Sequence, residues 1–189
     1  MLRIMTAALA LLAAGGAAAA PTLILGPQPA PGSIKPGLAV DYAYPASVKW
    51  LGEATRALDQ GAKKGLPLKG LDYPDEGVGA EALTSGRAEI VAARIEGWIK
   101  FDQAGVWRLE FHSNDGLEVS LSGIRVYVHD GRHACDTQGW VEVDVPVPGW
   151  YELNATWFQR FQSSCLMLKV QDPSGTTRWT DINDYAYRP

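Results

Sequence analysis

The sequence has few cysteines, no clusters of basic residues and only one long apolar run, and each shortage narrows its possible functions. The apolar run lies at the N-terminus, and no later stretch could cross a bilayer. The formal net charge is −4, without Lys/Arg clusters, which argues against nucleic acid and anionic membrane surfaces as partners. The chain also lacks Gly-x-Ser-x-Gly, His-Glu-x-x-His and phosphate-binding glycine motifs. We therefore expect a protein that is not an enzyme.

The N-terminal run has the order of parts typical of a secretory signal peptide. Residues 1–3 are short and basic, residues 4–14 are apolar, and small residues continue to Ala20. The apolar part is too short for a membrane span, so we predict a signal peptide over residues 1–20. The expected location is therefore the periplasm or the cell exterior, without membrane insertion once the signal is removed.

The two cysteines, Cys135 and Cys165, are an even pair in a chain predicted to be exported. Such a pair favours a disulfide bond. Because 30 positions separate the two residues, closing this loop would stabilise the fold by about 3–4 kcal/mol in the chain-entropy treatment. The alternative is two buried free thiols.

The first half of the chain contains few regular patterns. Residues 21–36 include five prolines and predict an extended tether or an edge segment without a core of its own. Residues 37–44 alternate as a strand does, and residues 62–87 are rich in Gly, Pro and charge, which indicates a long loop. Between them Ser47 is placed to cap a short helix that ends near Gly61. One face of that helix would be buried, through Val48, Leu51, Ala54 and Leu58.

From residue 93 onwards the chain alternates between apolar and polar side chains, as antiparallel strands do when one face is buried and the other meets solvent. In residues 93–101 the apolar set is Ile95, Gly97, Ile99 and Phe101, and Trp98 lies on the polar side. Similar strands follow, separated by Gly-centred turns, at 106–113, 116–123, 124–130, 140–147, 151–158, 165–172 and 178–182. This pattern predicts an all-β fold, an antiparallel β-sandwich over residues 37–189 with one short helix and a long N-terminal loop region.

Several short motifs occur in an order that resembles one known family. They are Gly37-Leu38, the hairpin that runs from Gly105 through Trp107 to Ser113-Asn114-Asp115-Gly116, Gly123, Gly149-Trp150-Tyr151-x-Leu153, and Trp157-Phe158-Gln159. The ordered set, which spans about residues 37–173, is similar to the PA-14 domain, a β-sandwich module of exported proteins. The resemblance implies carbohydrate binding.

In the adhesin branch of that family, two consecutive aspartates joined by a cis peptide hold a calcium ion that grips sugar hydroxyls. The matching positions here are Asn114 and Asp115, with one carboxylate fewer. The later loop 159–164, which supplies further ligands in the adhesins, contains no acid and one arginine. A guanidinium beside the site opposes a divalent cation. We therefore expect no cofactor, with calcium at Asn114 and Asp115 as the alternative.

If a ligand site exists, we expect it at the loop tips formed by these two segments. The candidate ligand-binding residues are Asn114, Asp115, Gln159, Arg160, Gln162 and Ser163. A turn such as Asn-Asp-Gly also has a purely structural explanation, because these residues adopt tight turns readily. Outward tryptophans at 98, 140 and 179 are further candidates for stacking against sugars.

A second cluster of chemically capable side chains lies in residues 129–136. His129 and His133, with Cys135 or Asp136, have the residue types of a zinc site. Gly131 favours a loop over the helical turn that such spacing requires, and Cys135 is already assigned to the disulfide. The sequence as a whole predicts an exported, non-catalytic module that binds a glycan. The alternative is a structural or assembly protein of the cell envelope that binds a protein partner.

Overall fold

The computed structural model describes residues 19–189. The predicted signal peptide lies outside these residues except for its last two positions. The described part of the chain forms one α-helix, one 3₁₀ helix and thirteen strands. The helices are α1 (Leu51–Gly61) and the 3₁₀ turn Ile182–Asp184. The strands are β1 (Lys35–Pro36), β2 (Ala39–Ala43), β3 (Lys63–Lys64), β4 (Asp72–Tyr73), β5 (Val91–Phe101), β6 (Gly105–Asn114), β7 (Leu117–Leu121), β8 (Ile124–His129), β9 (Trp140–Val145), β10 (Gly149–Gln159), β11 (Cys165–Gln171), β12 (Thr177–Trp179) and β13 (Tyr185–Tyr187).

The strands form two facing antiparallel sheets, so the predicted all-β sandwich is confirmed. The larger sheet has eight strands in the order β1-β13-β5-β10-β7-β8, with β2 and β3 attached to the same edge of β5 as β13. The smaller sheet has five strands in the order β12-β11-β6-β9, with β4 beside β11. Strands β5 and β10 are the longest pair and align over eleven residues each.

Alternation along the strands determines which side chains form the core. Ile95, Ile99 and Phe101 of β5 are buried between the sheets, as predicted. Trp107 of β6 is also buried in this core, where it packs edge-on against Phe101 at 5.0 Å between ring centres. The buried side chains on the facing strands exclude water from the whole interior, which is the main source of stability in such a sandwich.

Helix α1 lies against the outer face of the larger sheet, near one end. Its buried side chains match the predicted face, and they pack on Ala92 and Phe158. The predicted cap was wrong. The helix begins at Leu51, four residues after Ser47, and Trp50 at the cap position makes no side-chain bond. Asp130, from a distant loop, accepts a hydrogen bond from the Leu51 amide at 2.7 Å and takes the capping role.

The two segments predicted as tether and loop both pack on the sandwich. In the first, the Leu23 side chain is buried in the core, and its amide donates to the Asp144 carbonyl. In the second, β3 and β4 add short strands, and Leu68 and Leu71 are fully buried. Within residues 19–189 no helix is long and apolar enough to cross a membrane.

Candidate functional site

The Ser-Asn-Asp-Gly turn is a buried structural joint between β6 and β7. Its peptide bond between Asn114 and Asp115 is cis. The Asp115 amide donates to the Phe158 carbonyl, and the Phe158 amide donates to the Gly116 carbonyl. A side chain at Gly116 would lie 2.4 Å from the Phe158 ring, so only glycine fits this approach. The turn is therefore fixed to the end of β10.

The Asp115 carboxylate joins two loops to this turn. One oxygen, Oδ2, accepts a hydrogen bond from the Arg160 amide at 2.7 Å. The other, Oδ1, accepts one from the His133 amide at 3.2 Å. Burial raises the pKa of the Asp115 carboxyl, and the two amides, together with His133 and Arg132, offset only part of that effect. This side chain thus acts as a clasp between the loops 130–136 and 159–164.

A disulfide bond fastens the same two loops. Cys135 and Cys165 are bonded, which confirms the predicted pair. Cys135 lies in the loop 130–136, and Cys165 begins β11 directly after the loop 159–164. The covalent link and the Asp115 clasp therefore hold the same pair of loops in one arrangement.

Internal hydrogen bonds shape the loop 159–164. Gln159 is fully buried, and its Nε2 donates to the carbonyls of Phe161 (3.0 Å) and Ser163 (2.8 Å). The Gln162 amide donates to Glu89, and the Ser163 hydroxyl donates to Asp75. The loop thereby presents a defined surface to solvent.

These elements enclose a cleft of about 320 Å³ at one end of the sandwich. It is lined by Asn114, Asp115, Arg132, His133, Ala134, Arg160, Phe161, Gln162 and Ser163. Five of the six predicted ligand-binding residues therefore lie together along one cleft. Gln159 is the exception, because its buried side chain holds the loop from within.

Sequence reasoning missed the contribution of residues 132–134. A signal for it was present in the predicted disulfide. Because Cys135 bonds to Cys165, the residues just before Cys135 must lie beside the loop 159–164. On sequence alone, the motif around His133 is interpreted as a zinc site or a solvated loop, and not as part of the ligand cleft. In the structure the rings of His129 and His133 are stacked, with centres 3.4 Å apart and planes 4° apart.

The cleft contains several donors without partners. Neither Arg132 nor Arg160 forms an ion pair within residues 19–189, and the Arg160 guanidinium lies 4.7 Å from the centre of the Phe161 ring. Among the described residues 19–189, the donor Arg160 Nε is buried without a hydrogen-bond partner, and so is His133 Nε2. His133 Nδ1 contacts the Ala134 carbonyl at 2.9 Å and therefore donates to it, so Nε2 is an acceptor when the ring is neutral. Buried polar atoms of this kind are normally satisfied by water or a ligand.

The residues of the cleft do not fit the calcium ion that the resemblance offered as an alternative. Calcium takes six to eight oxygen ligands, whereas Asp115 is the only carboxylate lining the cleft and both its oxygens already accept amide hydrogen bonds. Arg132 and Arg160 line the same cleft. Within residues 19–189 no three His, Cys, Asp or Glu side chains are grouped to hold a metal.

Comparison with known proteins supports the fold through structure alone, since no family model and no curated protein matches the sequence. The PA14 domain of the antifreeze protein MpAFP superposes with a TM-score of 0.69 at 12% identity, over 86% of this chain and 96% of that domain. The PA14 sugar-binding domain from an RTX adhesin gives 0.65 at 11% identity, over 80% and 98%.

A third solved structure is the A domain of Epithelial Adhesin 9 from Candida glabrata, in complex with Galb1-3GlcNAc. It superposes with a TM-score of 0.65 at 16% identity, over 90% of this chain and 97% of that domain. At these identities the likeness establishes the fold and no more. The chain is a PA14-like β-sandwich, as the ordered motifs predicted.

Proposed function

We propose that this chain is an exported, non-catalytic module that binds a saccharide in the cleft between the loops 130–136 and 159–164. The observation that carries the proposal is that the guanidinium groups of Arg132 and Arg160 line this cleft and form no ion pair with any of residues 19–189. Sugar hydroxyls and carboxylates are acceptors that such donors recognise well. Two of the similar structures are described as sugar-binding or were solved with a sugar.

The mode of binding that these residues support needs no calcium. Arg160 contributes through its side chain, while its amide remains committed to Asp115. The Phe161 ring offers an exposed apolar surface beside the guanidinium, against which a pyranose face can pack. The disulfide supports an extracytoplasmic location, because such bonds persist in oxidising compartments.

A glycan array with neutral and acidic members, followed by titration calorimetry with and without EGTA, tests the proposal. We expect Arg160→Ala to weaken binding by about 10- to 100-fold, which corresponds to one or two lost charge-assisted hydrogen bonds. The backbone contact to Asp115 survives this substitution, so stability should change little. Arg125→Ala is the matched control, because Arg125 is exposed on β8 and lies outside the cleft.

Two results would contradict the proposal. One is an array without any hit for the wild-type protein. The other is an array in which every hit either requires calcium or is left unchanged by Arg160→Ala. An inert array together with co-purification of an envelope protein would favour the alternative, a structural or assembly role.

A further inference from the structure

The cleft between the loops 130–136 and 159–164, here called the loop cleft, is smaller than a second concave surface. The second surface lies on the outer face of the eight-stranded sheet, over the first half of β10, and has a volume of about 690 Å³. That is within the range of about 300–1,000 Å³ typical of small-molecule sites. Asn154, at its near end, is six residues along β10 from Arg160, or about 20 Å. We call this surface the sheet cleft.

The floor of the sheet cleft is made by outward side chains of two paired strands. In the β5–β10 register Trp98 lies opposite Glu152, and Glu96 lies opposite Asn154. Trp150 precedes Glu152 by two residues and therefore points to the same side. Two indoles, two carboxylates and a carboxamide thus share one face of a rigid pair of strands.

The residues 24–27 form one wall, and they are anchored to the floor. The Gln28 carboxamide donates to the Trp150 carbonyl (2.9 Å) and accepts from the Trp150 amide (2.8 Å), as a neighbouring strand would. The other wall contains Tyr187 and Arg188, whose guanidinium lies 5.6 Å from the centre of the Trp98 ring. The floor of the cleft lies on the paired strands β5 and β10, and hydrogen bonds between Gln28 and Trp150 hold one wall against it.

Polar groups in the sheet cleft have unused bonding capacity. Within residues 19–189 Glu96 makes neither an ion pair nor a side-chain hydrogen bond, and the indole N–H groups of Trp98 and Trp150 make none. Ser122 Oγ is buried without a partner. Asn154 Nδ2 donates a hydrogen bond to Glu152 Oε1 at 3.0 Å. The sheet cleft therefore offers both acceptors and donors beside two flat rings.

The sheet cleft continues into a shallower depression of about 170 Å³. The two share Glu96 and Asn154, and the second extends past Ser120 and Glu118 on β7. Because β5, β10 and β7 are adjacent, the combined track crosses three strands. Its occupant should therefore be elongated.

We propose that the sheet cleft binds a linear, neutral oligosaccharide, with Trp98 and Trp150 as stacking platforms and Glu96, Glu152 and Asn154 as hydrogen-bonding partners of its hydroxyls. The flat indole rings match the apolar faces of a pyranose. The carboxylates and the carboxamide beside them match the hydroxyl groups on its polar rim. The carboxylates disfavour an acidic ligand.

An extended peptide fits this surface less well than a sugar. A peptide that adds a strand needs a free sheet edge, whereas β5 and β10 are interior strands here. At the open start of β10, the Trp150 backbone is bonded to Gln28, and the Glu152 carbonyl accepts from the Ser122 amide. This site is separate from the loop cleft, and neither proposal depends on the other.

The test is titration calorimetry of the full chain with β-1,4-linked hexasaccharides of glucose, xylose, mannose and N-acetylglucosamine. At least one should bind, and Trp98→Ala should weaken it by about 10-fold or more, as the loss of a central aromatic contact does. Trp179→Ala is the matched control, because that indole is exposed on the other sheet. The affinity of the Trp179→Ala variant should stay within about twofold of wild type.

Each other outcome overturns the proposal. A hexalysine peptide, titrated in parallel, represents the peptide alternative. The outcomes that overturn the proposal are that no hexasaccharide binds, that Arg160→Ala abolishes binding while Trp98→Ala does not, or that hexalysine is the one ligand that binds and does so through Trp98. Urea unfolding checks that Trp98→Ala folds. If it does not, Trp150→Ala and Glu96→Gln provide the same comparison, since neither side chain belongs to the core between the sheets.

Discussion

Replacement of Asp115 tests whether its carboxylate holds the two cleft loops. Asp115→Ala leaves the amides of His133 and Arg160 without their acceptor in a largely buried turn. Each unsatisfied amide costs about 1–3 kcal/mol. The raised pKa of Asp115 shows that burial already disfavours its charge, which offsets part of the loss. We expect a net loss of about 2–4 kcal/mol in the free energy of unfolding.

Asp115→Asn is the sharper variant because it keeps the shape of the side chain. Its carboxamide retains one oxygen, but its NH₂ group faces the second amide donor, so we expect a loss of about 1–3 kcal/mol. Urea denaturation followed by tryptophan fluorescence measures both variants. Asp102→Ala, in an exposed turn, is the control and should stay within about 0.5 kcal/mol of wild type. A similarly small change for Asp115→Ala would refute the clasp.

The difference in stability between wild type and Asp115→Asn should depend on pH in a predictable direction. The folded state raises the pKa of Asp115 above its ordinary value of 3.8, so the folded protein binds this proton more tightly than the unfolded chain does. The contribution of Asp115 is then fully present below pH 3.8 and declines as the pH rises through the folded-state pKa. The stability difference between wild type and Asp115→Asn should therefore shrink as the pH rises from 3.8. A difference that grows would contradict this sign.

Three further substitutions test other parts of the fold. The double variant Cys135→Ser/Cys165→Ser should lose about 3–4 kcal/mol in urea unfolding, and dithiothreitol should reproduce that loss only in wild type. Leu58→Ala should cost about 2–5 kcal/mol, because its side chain is buried where α1 meets the sheet; Gln60→Ala, exposed on the same helix, should cost little. Gly116→Ala should cost about 1–3 kcal/mol by collision with Phe158, measured as a lower thermal midpoint.

The fold could be predicted from the sequence because the inward positions of its strands recur at every second residue. In β5 the inward set continues through Ile95, Ile99 and Phe101, so a single register places Ile99 inside and Trp98 outside. The disulfide could be predicted from the even cysteine count together with the predicted signal peptide. The strand periodicity is a local pattern and the cysteine pair is a matter of composition, so both can be recognised without knowledge of the tertiary structure.

Features that depend on distant partners could not be predicted. Ser47 has the chemistry of a helix cap, yet Asp130 caps α1 because the loop 130–136 passes over its first turn. Gln159 could donate hydrogen bonds to a ligand, yet its side-chain Nε2 instead donates to the carbonyls of Phe161 and Ser163, because the loop folds back over it. Tryptophans 98 and 150 gain their shared face only through the pairing of β5 with β10.

The course of the residues 21–36 has a practical consequence for any fragment of this protein. Its start is bonded to β9 of the smaller sheet through Leu23, while its end, β1, pairs with β13 of the larger one. Because this segment is bonded to both sheets, it opposes their separation from the outside of the sandwich. Expression from residue 37 would remove this fastening, expose the pocket that Leu23 fills and lower the resistance of the domain to proteolysis.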